Sequence, residues 1–174
     1  TLPIKPMEIF IIAAETSDGF IARNANHPAI WTSKEDKKRF VELTKDAGVV
    51  VMGSTTFKTL PKPLKERLNV VYSNTLKNDD LNTDPERKCI VTNKNPVELV
   101  KELTELGYTK MAVCGGSEIY SLFIESGLVH KLYLTIEPVL FGNGIGMFKR
   151  SLPKDVQLKI DKSETTEQGT IFLD

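Results

Sequence analysis

The chain has 174 residues, 40% hydrophobic and 26% charged, the balance of a globular domain and not of a disordered, collagen-like or coiled-coil chain. Lys plus Arg and Asp plus Glu number 23 each, so the net charge is zero and no overall basic field exists to hold nucleic acid or an anionic membrane. With domains of roughly 100 to 200 residues as the norm, this length predicts one domain over 1–174.

Met7 to Ala14 predicts a first strand, apolar enough to be buried on both faces. Thr32-Ser33 caps a helix from about Lys34 to Lys45, with Phe40, Leu43 and Val41 inward, and Gly48 stops it. Val49 to Met52 is a second buried strand, and Thr55 to Leu60 a short helix halted by Pro61 and Pro63. A strand over Asn69 to Ser73 leads into a polar surface loop, Asn74 to Lys88. After a strand at Cys89 to Thr92, Pro96 opens a helix with Val97, Val100, Leu103 and Leu106 inward, ending at Gly107. Lys110 to Cys114 is a strand, Gly115-Gly116 a tight turn and Ser117 to Ser126 a helix. A strand at Lys131 to Pro138 follows, and Val156 to Ser163 with Thr170 to Leu173 closes the chain as an antiparallel edge hairpin. This alternation is the rhythm of an α/β fold with a mostly parallel sheet.

Cys89 and Cys114 stand 25 residues apart with no CxxC pair, which fits neither a disulfide framework nor a thiolate cluster; a reducing cytoplasm is expected. His27 and His130 are too few for a histidine-built metal site, so no metal is expected. The longest apolar stretches are strand-sized, far below the roughly 20 residues of a membrane span. Neither a signal peptide nor a membrane anchor is expected.

Three segments carry chemistry. Met111 to Tyr120 reads as buried strand, two glycines, then helix, an order that turns backbone N–H groups toward a phosphate; it also serves as a plain strand-to-helix turn. Val51 to Phe57 repeats the arrangement, with Gly53 followed by Ser54, Thr55 and Thr56, hydroxyls that equally serve as helix caps. Two such turns at the carboxyl ends of parallel strands could clamp opposite ends of one dinucleotide. In the third, Trp31 opens the first helix, and Asp36 and Phe40, four apart, share a helical face. A carboxylate on that face is either a solvated first-turn acid or a functional one, and neighbouring Glu35 is a rival for either role.

Together, Ile11 to Ala14, Trp31 with Asp36 and Phe40, Val51-Met-Gly-x-x-Thr-Phe57, Pro63-Leu64 with Arg67, Asn69-Val-Val-x-Ser73, Gly115-Gly-x-x-Ile-Tyr120 and Leu132 to Thr135 resemble dihydrofolate reductase over nearly the whole chain. The resemblance implies a sheet of about eight strands flanked by about four helices, and NADPH lying across the strand ends to pass hydride to dihydrofolate. It matches Asp36 to the acid that grips the pterin and promotes its protonation, Trp31 to that acid's neighbour and Thr135 to the threonine that hydrogen-bonds it. Ile12, Ala13, Phe40, Leu64, Cys114 and Tyr120 match substrate-cleft positions, and Arg67 the partner of the substrate's glutamate carboxylate. For the cofactor, Ala14, Ile21, Gly53, Ser54, Thr55 and Thr56 match on one side and Ser73 and Asn74 at the adenosine end. Cys114, Gly115, Gly116, Ser117, Glu118, Ile119 and Tyr120 match the second glycine turn.

Departures accompany the match. Ser54 stands where that family carries a basic residue beside the 2′-phosphate, leaving Lys58, Lys62 or another nearby cation to substitute. The loop between Ile21 and Trp31 is longer than in typical bacterial members. Pro138 to Phe148 and Ser17 to Ala22 look more like the related reductase domain of riboflavin biosynthesis, which implies a ribosylamino-pyrimidine as the alternative substrate with the same cofactor. Monomer and homodimer are both compatible with these families.

Overall fold

The computed structural model describes residues 5–82 and 84–174. From β1 (Glu8–Thr16) the chain passes through β2 (Phe20–Ala22) and one 3-10 turn at Ala29–Trp31 into α1 (Lys34–Ala47). β3 (Val49–Gly53) leads directly into α2 (Ser54–Lys58), followed by β4 (Leu68–Tyr72), α3 (Asn78–Leu81), β5 (Cys89–Thr92) and α4 (Pro96–Glu105). β6 (Lys110–Val113), α5 (Ser117–Ser126), β7 (Lys131–Glu137) and β8 (Ile145–Gly146) precede the hairpin of β9 (Ser163–Thr165) and β10 (Ile171–Leu173). One eight-stranded sheet has the order β5-β4-β3-β6-β1-β7-β10-β9, and β2 pairs with β8 in a separate ribbon. The pairs from β5 across to β7 are parallel, and β10 and β9 add the antiparallel edge. The α/β architecture with its antiparallel edge is the one the sequence predicts.

Alternate residues of the central strands feed two cores, because successive side chains in a strand point to opposite faces. Ile9, Ile11, Val49, Val51, Met111 and Val113 pack with Leu99, Leu103 and Phe123 from α4 and α5. Phe10, Ile12, Val50, Met52 and Ala112 pack against Phe40 and Leu43 of α1. Burial on both faces explains why these strands read as continuous apolar runs and not as alternating patterns. Ser33 caps α1, its hydroxyl accepting the Asp36 N–H, and Gly48 at φ +79° ends it. Asn95 caps α4 by accepting the Glu98 N–H, with Pro96 in the first turn.

Several expectations shift. Val41 is 40% exposed, so it does not join Phe40 and Leu43 in the core. In α4 the buried face is Pro96, Leu99 and Leu103, while Val97 and Leu106 are 61% and 63% exposed; both sets satisfy helical spacing, and packing against α5 selects the first. The predicted Asn74 to Lys88 loop, which includes position 83 outside the described residues, contains α3, whose four residues carry Asp79 and Asp80 in the first turn. Val156 to Lys162 is no strand: beyond β9, only the Asp161 and Lys162 amides, both donating to the Asp174 carbonyl, with Asp174 N–H donating back to Lys162, prolong the hairpin.

Candidate functional site

Ala14, Gly53 and Cys114 stand at the carboxyl ends of β1, β3 and β6, neighbours in the sheet where chain order reverses. Ligands of open α/β sheets bind at such a switch point. A cleft of ≈ 1400 Å³ opens here, more than the roughly 300 to 1,000 Å³ of a single small-molecule pocket. It has room for a dinucleotide and a second ligand end to end.

The second-ligand half lies between α1 and the loop after α2. Asp36, half-buried in the third position of α1, lines the cleft with Trp31, Phe40, Ile12 and Ala13. The Trp31 indole N–H is buried without a protein partner, and its ring packs edge-on to Phe141 at 5.1 Å. Leu64 is bracketed by Asn69, fully buried, which accepts the Leu64 N–H and donates to its carbonyl, both at 2.9 Å. Arg67 is 8% exposed; its Nε donates to the Lys65 carbonyl and Nη1 to Thr44 Oγ1, both at 2.9 Å, while Nη2 keeps its donors. Burial lowers its pKa from the ordinary guanidinium value, with only the neighbouring Glu66 and Cys114 opposing. A buried arginine so placed on a cleft wall suits an anionic group on a ligand. Thr135 departs from expectation: it is 3% exposed, lies off the cleft wall and makes no hydrogen bond to Asp36.

The dinucleotide half is built on two glycines that allow close approach. A Cβ on Gly116 would stand 3.2 Å from Thr56 Oγ1, and one on Gly53 3.2 Å from Ile119 Cγ1. Gly53 N–H donates to the Gly115 carbonyl at 2.9 Å, which locks the two turns side by side. Gly115, joined to Gly116 by a cis peptide, lies behind the wall, whereas Gly116, Ser117, Glu118, Ile119 and Tyr120 are on it. The Tyr120 hydroxyl donates to the Ile12 carbonyl at 2.7 Å, and burial raises its pKa well above the usual phenol value. Burial also pushes the Cys114 thiol up to about 12. Ala14, Ile21, Ser54, Thr55 and Thr56 line the same space, and Ser73 and Asn74 its far end.

Lys58 and Lys62 are not on the wall; Lys94 is. It follows β5, whose neighbour β4 ends beside Ser73, and Ser73 N–H donates to the Thr92 carbonyl at 3.1 Å. Sequence reading missed Lys94, Tyr72 and Lys149 on the wall. The first two follow from knowing that β4 and β5 end together, a pairing no local pattern gives.

Two chain segments meet beside Trp31 and form a cover at the edge of the cleft. Asp18 accepts from Thr16 Oγ1 at 2.5 Å and from the N–H groups of Phe141 and Gly142 at 3.1 and 2.7 Å. Phe141 in turn packs on His27 and Trp31 and under the Arg23 guanidinium. The two stretches that look riboflavin-like in sequence, Ser17 to Ala22 and Pro138 to Phe148, are thus partners in this one cover, joined also through β2 and β8.

Comparison with known proteins gives the family. Residues 8–172 match the family model described as RibD C-terminal domain. The chain belongs to that family. A RibD C-terminal domain is an oxidoreductase of the dihydrofolate reductase-like superfamily. Among curated relatives, the bifunctional dihydrofolate reductase-thymidylate synthase of Plasmodium vinckei is 34% identical over 90 residues, 50% of this chain and 48% of that protein. The chain spans less than half the length of the first such relatives it matches. The structure of a putative riboflavin biosynthesis protein from Shewanella superposes with TM-score 0.79 at 21% identity, covering 96% and 97% of the two chains. That of a deaminase/5-amino-6-(5-phosphoribosylamino)uracil reductase from Thermotoga maritima gives 0.74 at 14%, covering 97% and 56%. Over the full chain the likeness therefore leans to the riboflavin-type alternative more than to the folate reading.

Reductases of both kinds use NADPH. The cleft fits that cofactor: each glycine keeps a wall open that a Cβ would fill, and the Ser117 to Ser126 helix starts directly after Gly116. Gly53, Thr56, Gly116 and Ser117 would hold its phosphates, with Ser73, Asn74 and Lys94 at the adenosine end. Among the described residues no three His, Cys, Asp or Glu side chains gather to hold a metal, and no helix is long and apolar enough to cross a membrane.

Proposed function

We propose that the chain is an NADPH-dependent dihydrofolate reductase, converting 7,8-dihydrofolate to 5,6,7,8-tetrahydrofolate. The observation that carries the reading is the Asp36 carboxylate on the cleft wall. An ionised carboxylate only accepts hydrogen bonds. A pterin offers it two adjacent donors, an amino group and a ring N–H, in the paired geometry that carboxylates bind best. A uracil edge offers one donor flanked by two carbonyl oxygens, which a carboxylate repels.

NADPH, when bound, supplies the hydride to the carbon of the substrate's C=N bond. Asp36 holds the pterin edge and promotes proton arrival at the adjacent ring nitrogen, so the double bond gains one hydride and one proton. Phe40 and Leu64 flank the way out to Arg67, whose free Nη2 meets the carboxylate of the glutamate tail. Trp31 and the cover over it keep water from the reacting atoms.

A second reading has its own observation, the full-length likeness to riboflavin-type reductases. It gives the same cofactor a ribosylamino-pyrimidine phosphate as substrate, with Arg67 on the phosphate. NADPH oxidation by the purified protein separates the two. Turnover with dihydrofolate that falls at least about 100-fold in Asp36→Asn supports the folate reading. Turnover only with the ribosylamino-pyrimidine overturns it.

A further inference from the structure

The first turn of α1 carries a capping box in which one half is exchanged. Ser33 is the cap and Asp36 the third helical residue, the spacing at which a carboxylate ordinarily reaches back to the cap's own N–H. Ser33 Oγ accepts the Asp36 N–H at 3.1 Å, as such a box requires. The reciprocal bond goes elsewhere. Ser33 N–H donates to Oε2 of Glu137 at 2.9 Å, and Ser33 Oγ–H to Oε1 of the same carboxylate at 3.1 Å.

Glu137 closes β7, 104 residues further along, and is only 4% exposed. An acid so buried needs donors or a positive dipole end, and the start of α1 provides both. Its backbone is pinned as well: the Glu137 carbonyl accepts from Ser17 Oγ at 2.7 Å and from Val139 N–H at 2.8 Å, at the root of the cover. The Asp36 side chain has two competing uses, folding back onto Ser33 N–H or facing the cleft. With Ser33 N–H already taken, the first use is closed.

We propose that Glu137 is a positioning residue that takes over the cap of α1 and so releases the Asp36 carboxylate to the cleft. The catalytic consequence rests on the folate reading; the placement of Asp36 does not. The test uses Glu137→Ala, Glu137→Gln, Asp36→Asn and the Glu137→Ala/Asp36→Asn double variant, with Glu137→Leu replacing Glu137→Ala if that variant does not fold. A crystal structure of the Glu137→Ala protein is expected to show the Asp36 carboxylate within hydrogen-bond distance of Ser33 N. With dihydrofolate, its kcat falls about tenfold or more while NADPH affinity, read by fluorescence titration, stays within about twofold. Glu137→Gln, which keeps an acceptor oxygen for Ser33 N–H, restores most of the rate. In the Asp36→Asn background Glu137→Ala costs nothing further, because both act through one carboxylate. An Asp36 still facing the cleft in the Glu137→Ala structure, or losses that add in the double variant, overturns the proposal. If the wild-type protein does not turn over dihydrofolate, the folate reading falls and the Glu137→Ala structure alone decides this one.

Discussion

Replacing Gly115 by alanine tests how tightly the two glycine turns are packed. The residue has φ +103°, and an added Cβ would stand 3.0 Å from Cε2, Cζ and Oη of Tyr120. That ring has nowhere to go: Tyr120 is 4% exposed and its hydroxyl is bonded to the Ile12 carbonyl at 2.7 Å. An L side chain at such a φ costs roughly 1 to 2 kcal/mol. Forcing a carbon into a filled core costs about 1 to 3 kcal/mol more. The expected loss is about 2 to 5 kcal/mol, a fall in Tm of the order of 10 °C for a domain of this size. Gly48→Ala is the control, because Gly48 also has positive φ, +79°, but a Cβ there meets nothing within 4 Å. Thermal unfolding followed by circular dichroism measures both. The Gly115→Ala loss should exceed the Gly48→Ala loss by at least about 1 kcal/mol; equal losses would refute the packing argument and leave backbone strain as the whole effect.

Thr44, fully buried, accepts from Arg67 Nη1 and donates to the Phe40 carbonyl at 2.6 Å, so Thr44→Val loosens the arginine without removing it. Steady-state kinetics should show KM for dihydrofolate rising up to about tenfold, and KM for a dihydropterin lacking the glutamate tail unchanged. Lys94 pairs with Glu102 at 2.5 Å and lines the cleft wall, and we propose it as the cation that stands in for the basic residue that dihydrofolate reductases carry where this chain has Ser54. Lys94→Ala should weaken NADP+ binding roughly tenfold in calorimetry and leave NAD+ binding as it was. The Cys114 thiol, held near 12 by burial, stays protonated at pH 8, so its alkylation by iodoacetamide should be far slower than that of free cysteine and should quicken only in strongly alkaline solution. The Asp18 carboxyl lies below the usual carboxylate value chiefly through the Thr16 hydroxyl, so its hold on the Phe141 loop is present at neutral pH and lost as acid protonates it. Limited proteolysis of that loop should rise on acidification in the wild type, and be high at every pH in Asp18→Asn.

What the sequence discloses here depends on how far apart the cooperating residues lie. The central strands were legible because burial on both faces leaves unbroken runs such as Val49 to Met52, and the helix starts because their signals sit within one turn, the cap at Ser33 and the proline at Pro96. The phase of α4 was legible only in part: Leu103 is buried and Val100 packs against the core as the helical period predicts, but Val97 and Leu106 are exposed and Pro96 and Leu99 take their place, a rotation of the face that the neighbouring α5 sets. The same limit applies at the site. Asp36 was singled out by the family resemblance, since helical spacing left Glu35 as a rival, and the Glu137 bond to Ser33 that bears on its placement spans 104 residues and has no local signature. Read alone, the Ser33 to Asp36 spacing is a closed capping box, and a closed box argues against a functional Asp36. The buried acid at the end of β7 reverses that argument. On that proposal, the part of the site that was hardest to find is the part that keeps the more easily found carboxylate on the cleft wall.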